Sequence, residues 1–542
     1  MRQNNDIPRL VQQGNKTILM VKGNPFIALA GEVHNSDSSS PAYMEHIWDV
    51  ADELGMNTLL LPVSWEIVEP EEGIFDFTIP QELVNQARKR QKKIIFLWFG
   101  SWKNAEMMYA PEWVKKDLKR FRRGQIEKGK NKAGRAVSPS MPYKIPYTTI
   151  SYLCEAAMEA DAKAFAAFMS WLREYDEKEA TVITIQVENE TGILGVAREL
   201  SDEADTLFSG QVPEKFVEYM TTHTDTMVSD VRTAVESGAK SGTWQEVFGT
   251  VAEEMFSAYY VSHYVEHVAK AGKEVYPLPM VVNCWLDKGG EAGTYPTGGP
   301  VSRVLEVWKH CAPSIDAFCP DIYVPNFMEI CEEYVRRGNP LMIPESATHS
   351  YCAPRMVYVV GHHHAICYSP FGFDDIGEPF SAVQAYLFGV DVSDPALKTP
   401  QNYEEYGLTG KLLGSLLPII GQQLGTANLD ATCGECGATS EIQIGNLRLV
   451  TNYQNMMQPR NDGYCLCVKA VEDECYILGN ACGIEFASNN SEMPNLDLLL
   501  TEEIILDSEG KWKTGRRLNG DETARINFNK PSILHVKYFV YD

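Results

Sequence analysis

From residue 26 to residue 372 the hydrophobic pattern switches repeatedly between two periods. Short, nearly continuous apolar runs recur as FIALAGEVH (26–34), NTLLLPVSW (57–65), KIIFLWFG (93–100), TVITIQVE (181–188), PMVVNCW (279–285), DAFCPDIY (316–323), PLMIPES (340–346) and HAICYSPFG (364–372). Runs of this length without polar alternation predict strands buried on both faces, as in a parallel sheet. Between them lie YMEHIWDVADELG (43–55), QELVNQARKRQ (81–91), EADAKAFAAFMSWLREY (159–175), AEEMFSAYYVSHYVEHVAKAG (252–272) and FMEICEEYVRRG (327–338), whose apolar residues return every three or four positions and predict helices. Eight strand and helix units in series predict an α/β fold, a closed (β/α)8 TIM barrel spanning residues 1–380.

Beyond residue 380 the rhythm changes. One helical block, GLTGKLLGSLLPIIGQQLG (407–425), predicts a helical connection packed on the barrel over 381–429. Short alternating segments then follow, SEIQIGNLRLVTNY, GYCLCVKAV, ECYILG and SILHVKYFVYD, and predict a β-sandwich-like domain over 430–542.

In a barrel of this kind the functional residues stand where the strands end. The strand ends here carry Glu32, His34 and Asn35; Trp65 and Glu66; Trp98, Trp102, Lys103 and Asn104; Asn189 and Glu190; Asn283 and Trp285; Asp321 and Tyr323; Glu345; then Tyr368 and Phe371. Two glutamates at a barrel mouth suit the cleavage of a glycosidic bond, which needs a proton donor to the leaving oxygen and a second carboxyl as nucleophile or base. Glu190 and Glu345 end the fourth and seventh strands, so they face each other across the mouth. Glu345, after an apolar run, reads as the nucleophile with a hydrogen bond from a group such as Tyr323. Glu190, its proton held by repulsion from Glu345, reads as the acid. Asn189 is placed to reach a sugar hydroxyl. Trp98, Trp102, Trp285 and Phe371 offer apolar faces for sugar CH groups. Glu188 reads as a structural carboxylate.

A net charge of −25, from 73 acidic against 48 basic residues, excludes polyanions as obvious partners. The basic stretch KKDLKRFRRGQIEKGKNKAGR (115–135) is the local exception and reads as a solvated loop or hairpin. Thirteen irregularly spaced cysteines fit a reducing compartment, and neither a signal-like segment nor an apolar run of membrane-spanning length is present, so a cytoplasmic location is expected. CGEC (433–436) has metal-ligand spacing but no second pair, while the CLC thiols (465–467) read as packing. No cofactor and no metal are expected.

QVENETG (186–192) and LMIPES (341–346) resemble the two catalytic strand ends of family 35 glycoside hydrolases, the β-galactosidase family. NTLLLPVSWEIVEPEEGIFDF (57–77) resembles the family's second-strand region, a W-x-x-x-E-P pattern followed by Gly and Phe-Asp-Phe. The three motifs occur in the family's order, and the likeness is to a bacterial subgroup with its own C-terminal β domain. The resemblance implies Glu190 as acid/base, Glu345 as nucleophile, Asn189 as its neighbour, and net retention through a covalent glycosyl-enzyme. Three segments depart from the family pattern: Thr191 replaces a Tyr, GEVHNSDSSS replaces G-S-x-H-Y/F, and LWFGSWKNAEMMYAPEWVKKD (97–117) replaces a C-A-E-W-like segment.

The expected activity is that of a retaining exo-β-galactosidase acting on short oligosaccharides, with Glu32, Asn35, Asn189, Trp98, Lys103, Asn104, Trp285, Tyr323 and Phe371 binding substrate. Alternatives are the same machinery on a β-glucoside or arabinopyranoside, a carbohydrate-binding barrel without catalysis, and a metal-assisted enzyme using His34, Glu32 and Glu66. The partner expected is the glycoside substrate, with a homo-oligomer left open; nucleic acid and membrane are not expected.

Overall fold

The structure, a computed structural model, describes residues 7–126, 135–137, 146–379, 399–453 and 462–542. All eight apolar runs are strands: β1 (Ala28–Glu32), β2 (Thr58–Ser64), β3 (Lys93–Lys103), β4 (Val182–Asn189), β5 (Met280–Cys284), β6 (Ala317–Pro320), β7 (Met342–Ile343) and β8 (Cys367–Tyr368). They pair in parallel in the order β6-β5-β4-β3-β2-β1-β8-β7, and a parallel bridge between Ile322 and Ser346 joins the two ends. The result is a (β/α)8 barrel. The helices that precede the next strand or complete the ring are α1 (Pro41–Glu53), α2 (Thr78–Lys89), α3 (Glu155–Asp176), α4 (Ala252–Val275), α5 (Leu305–Cys311), α6 (Phe327–Val335), α7 (Cys352–Tyr358) and α8 (Tyr403–Gln423), with shorter helices in the connections, four of them between β4 and α4.

The two faces of each strand bury different things. Ala28, Ala30, Leu60, Ile95, Leu97, Val281, Ala317, Cys319, Met342 and Cys367 pack together inside the bore, whereas Leu29, Leu59, Phe96, Val282 and Ile343 belong to the layer between strands and helices. An antiparallel sheet of three strands, Arg9–Gln13, Lys16–Val21 and Asn24–Phe26, precedes β1. Its Leu19 and Val21 join the bore cluster and plug the N-terminal end of the barrel.

The helix α8 completes the helical ring. It crosses the end of α1 so closely that a Cβ on Gly410 would stand 2.3 Å from the Leu54 carbonyl oxygen, so only glycine permits this approach. Two sheets follow, one of six strands and one of four. Strand Asp462–Val471 shows how they stack: Tyr464, Leu466 and Val468 pack toward the barrel, while Cys465 and Cys467 face the second sheet. The CLC thiols are thus packing residues. In the basic stretch 115–135, residues 127–134 lie outside the described residues; before them Lys115 pairs with Glu66, Arg120 with Glu72 and Arg122 with Glu203.

Candidate active site

Strand alternation builds the mouth. Ala28 and Ala30 point into the bore, so Glu32 continues the same row; Val281 leads to Asn283 and Ala317 with Cys319 to Asp321. The bulge that lengthens β3 carries Lys103 level with Asn189, the last residue of β4. Backbone strain collects at the same level: Asn104, Ala105, Glu188 and Glu190 all have positive φ, between 46° and 61°. Non-glycine residues held there mark places where the fold over-determines the chain.

Glu190, Asp321 and Glu345 each place a carboxylate oxygen within 4.8 Å of the others, all buried. Three donors converge on Glu345. Tyr323 Oη donates to Oε2 at 2.7 Å, and the side-chain amides of Asn189 and Asn283 each donate to Oε1 at 3.3 Å. Both amides have their orientation set from behind. Lys103 Nζ donates to Asn189 Oδ1 at 2.8 Å, and the backbone N–H of Glu190 donates to Asn283 Oδ1 at 3.0 Å, so each NH2 group must face the carboxylates. Asn283 Nδ2 also reaches Asp321 Oδ2 at 2.9 Å.

Burial, reinforced by the charge of Glu345, pushes the Glu190 carboxyl up to about 8, against the pull of Lys103 and of hydrogen bonds with Asp321 and Trp285. Glu32 and Asp321 are raised well above the usual carboxylate range, by burial first and by Glu345 second. Burial opposes the Lys103 ammonium, but Glu345, Glu190, Glu32 and Asp321 together outweigh it and raise its pKa. The site thus holds four carboxyl groups around one cation.

The predicted residues divide into three groups. Glu190, Glu345, Asn189, Lys103, Tyr323, Trp285 and Glu32 come together. Asn35 and Asn104 stand nearby, after β1 and in the strained turn after β3, and Phe371 bridges Glu32 through its backbone while its ring meets His34 edge-on at 5.3 Å. Trp98 is a correction. Its neighbours Leu97 and Phe99 face the bore, so Trp98 faces outward, packs on Phe165 and Phe168 of α3, and donates to Asp161 Oδ1 at 2.8 Å. Trp102 likewise is buried against Tyr264. Glu188 accepts from the backbone N–H groups of Ser101 and Trp102, an anchor for the β3 bulge. The trio Glu32, His34 and Glu66 does not converge, since His34 meets Asp375 at 3.1 Å and Glu66 pairs with Lys115. Asn283 and Asp321 join the site as well; the inward row through Val281 and Ala317 is the sequence signal that points to them.

Residues 18–126 match the family model described as glycosyl hydrolases family 35, and residues 410–529 match a domain of unknown function, DUF5597. The N-terminal part of the barrel is thus similar to glycosyl hydrolases family 35. The family 35 match covers β1, β2 and β3, with Glu32, Asn35, Lys103 and Asn104 inside it, while Glu190 and Glu345 lie beyond it. No curated protein sequence matches the chain. Among solved structures, the chain is similar to an exo-β-1,4-mannosidase from Opitutaceae bacterium strain TAV5 (15% identity, 72% of this chain and 60% of that one, TM-score 0.39). It is also similar to a cold-adapted β-galactosidase from Rahnella sp. R3 (12%, 73% and 57%, 0.44). A family 39 glycoside hydrolase from Bacteroides cellulosilyticus WH2 gives 13% identity over 96% of this chain and 84% of that one, with a TM-score of 0.41. The chain thus spans less than two thirds of the length of the first two.

Proposed function

We propose that the protein is a retaining exo-β-glycosidase, with terminal β-galactosyl residues of short oligosaccharides as its substrate and the cytoplasm as its location. The pairing of Glu190 with Glu345 carries this reading. A carboxylate oxygen of each lies within 4.8 Å of one of the other, closer to the separation of about 5–5.5 Å in retaining enzymes than to the roughly 6.5–9.5 Å of inverting ones. Glu190, with its pKa near 8, holds a proton at neutral pH and can give it to the leaving oxygen. The Glu345 carboxylate, aimed by Tyr323, Asn189 and Asn283, attacks the anomeric carbon. Covalent bonding then removes the Glu345 charge that had helped raise Glu190, so Glu190, its proton spent on the leaving group, stays ionised and can accept a proton from the water that releases the sugar.

A second observation supports a polyhydroxylated ligand. Both Glu32 carboxylate oxygens, Asn35 Oδ1, Asn104 Oδ1 and Asp321 Oδ1 are buried acceptors with no hydrogen-bond partner among the described residues. Buried acceptors normally have donors; sugar hydroxyl groups would supply them. Glu32 and Asn35 stand within the segment that departs from the usual family pattern, which favours keeping β-glucosides and arabinopyranosides as the alternative substrates. The free state of all thirteen cysteines supports a reducing compartment, and no helix among the described residues is long and apolar enough to cross a membrane.

The experiment is a panel of aryl β-glycosides (galactoside, glucoside, arabinopyranoside, xyloside) with folded protein and its Glu345→Ala variant. Turnover of the galactoside that disappears in the variant is the expected result; silence across the panel overturns the proposal. The active galactoside should show kcat/KM falling as pH rises through about 8, where Glu190 loses its proton.

A further inference from the structure

At the opposite end of the barrel, three side chains unconnected with the mouth converge. Glu332 lies on α6; His362 and His363 lie in the π-helical turn Val359–His363 that follows α7 and leads into β8. His362 Nε2 stands 3.6 Å and His363 Nε2 3.8 Å from the same oxygen, Glu332 Oε1. The three donor atoms all lie within 4.8 Å of one another. The other ring nitrogen of His362, Nδ1, is 2.8 Å from Asp430 Oδ1, on the first strand of the C-terminal domain, Leu429–Glu435.

His363 decides the meaning of this cluster. Its side chain is 2% exposed, and its Nε2, directed toward Glu332, has no hydrogen-bond partner among the described residues. A buried imidazole nitrogen that loses water without gaining a partner costs free energy.

We propose that Glu332, His362 and His363 bind a divalent transition-metal cation of the Zn²⁺ class, with Asp430 orienting His362. Two imidazoles and a carboxylate form the donor set of a borderline-soft cation, and a carboxylate on the second ring nitrogen is its usual support. Donors about 2.0–2.2 Å from a tetrahedral metal stand roughly 3.3 Å apart, so the two separations from Glu332 Oε1, 3.6 and 3.8 Å, need a closure of only a few tenths of an ångström, within the freedom of that exposed side chain, while the two imidazole nitrogens, within 4.8 Å of each other, are brought together by a shift of the exposed His362 ring. The Lys16 ammonium group feels the charges of Glu332 and Asp430, while burial lowers its pKa. The site joins α6, the turn before β8 and the first strand of the C-terminal domain at the N-terminal end of the barrel, where barrels of this kind keep residues for stability. Its metal is a structural clamp.

Full-length protein stripped with a chelator tests this by titration calorimetry with Zn²⁺ and by thermal denaturation with and without it. One Zn²⁺ per chain and a higher melting temperature are expected, with no response to Ca²⁺, a hard cation that prefers oxygen donors. The Glu332→Gln and His362→Ala variants, altered at exposed positions, should lose both responses while keeping wild-type turnover, and Asp430→Ala should bind about 10–100-fold more weakly. His363→Ala should also lose them; if it fails to fold, the two exposed variants decide. Folded wild-type protein that gives no Zn²⁺ signal overturns the proposal. So does undiminished binding in a Glu332→Gln, His362→Ala double variant, which would move the metal elsewhere, for example to Cys433 and Cys436.

Discussion

At its N-terminal end the barrel bore is closed by Leu19 and Val21, clustered with Ala28, Ile95, Ile183, Ala317 and Met342, an apolar plug whose central strand is paired with a neighbour on each side. At its C-terminal end the same inward-facing rows finish in Glu32, Asn283 and Asp321, joined by Glu190, Glu345 and Lys103, with strained backbone and unpartnered acceptors. A sequence optimised only to fold would repeat the first arrangement at both ends. Strained backbone, unpartnered acceptors and carboxyl groups raised out of their usual range, gathered at one end, are the pattern of a site rather than of a packing layer.

The contrast is broken most severely at Glu345. Glu345→Ala should reduce glycoside turnover by roughly 10⁴-fold or more without lowering the melting temperature, and azide should restore part of it as an α-glycosyl azide. A parallel loss of stability would make Glu345 a structural residue. Next is Glu190→Ala, which should slow substrates with poor leaving groups by about 10²–10⁴-fold and activated aryl glycosides far less; equal losses on both would contradict its role as acid. The plug should behave in the opposite way. Leu19→Ala should destabilise the fold by about 2–5 kcal/mol, read in denaturant, while KM and kcat per folded molecule stay unchanged.

The smallest effect sharpens the comparison by reversing its sign. Glu32 has a folded-state pKa raised by burial and by Glu345. Such a carboxyl favours folding only while protonated in both states, and that advantage is lost as pH rises from the unfolded value toward the folded one. Glu32→Gln removes the cost, so its melting temperature should exceed that of the wild type, by more at pH 8 than at pH 5, while KM rises. A lower melting temperature at pH 8 would mean that Glu32 is paired in the folded protein.

The barrel was legible because each of its strands is a short apolar run with a change of rhythm on either side. Glu190 and Glu345 were legible because a carboxylate cannot belong to such a run, only to its end. Trp98 was misplaced because a fully apolar strand such as KIIFLWFG does not reveal which of its two faces meets the bore; that parity is set by register against β2 and β4. Asn283 and Asp321 were visible as strand ends, but their roles depend on hydrogen bonds between strands far apart in sequence. The N-terminal plug is not legible in the sequence because its strands are short and partly exposed, nor is the grouping of Glu332 with His362 and His363, because α6 and the turn after α7 meet only in three dimensions.

The central claim is that Glu345 forms the covalent glycosyl-enzyme. Incubation with a 2-deoxy-2-fluoro-β-galactoside bearing a dinitrophenyl leaving group, followed by mass spectrometry of the digested protein, tests it directly. One fluorosugar bound to the peptide containing Glu345, at that side chain, is the predicted result. A label on Glu190, Asp321 or Glu32, or hydrolysis of ordinary aryl galactosides with inversion and no label at all, would contradict it.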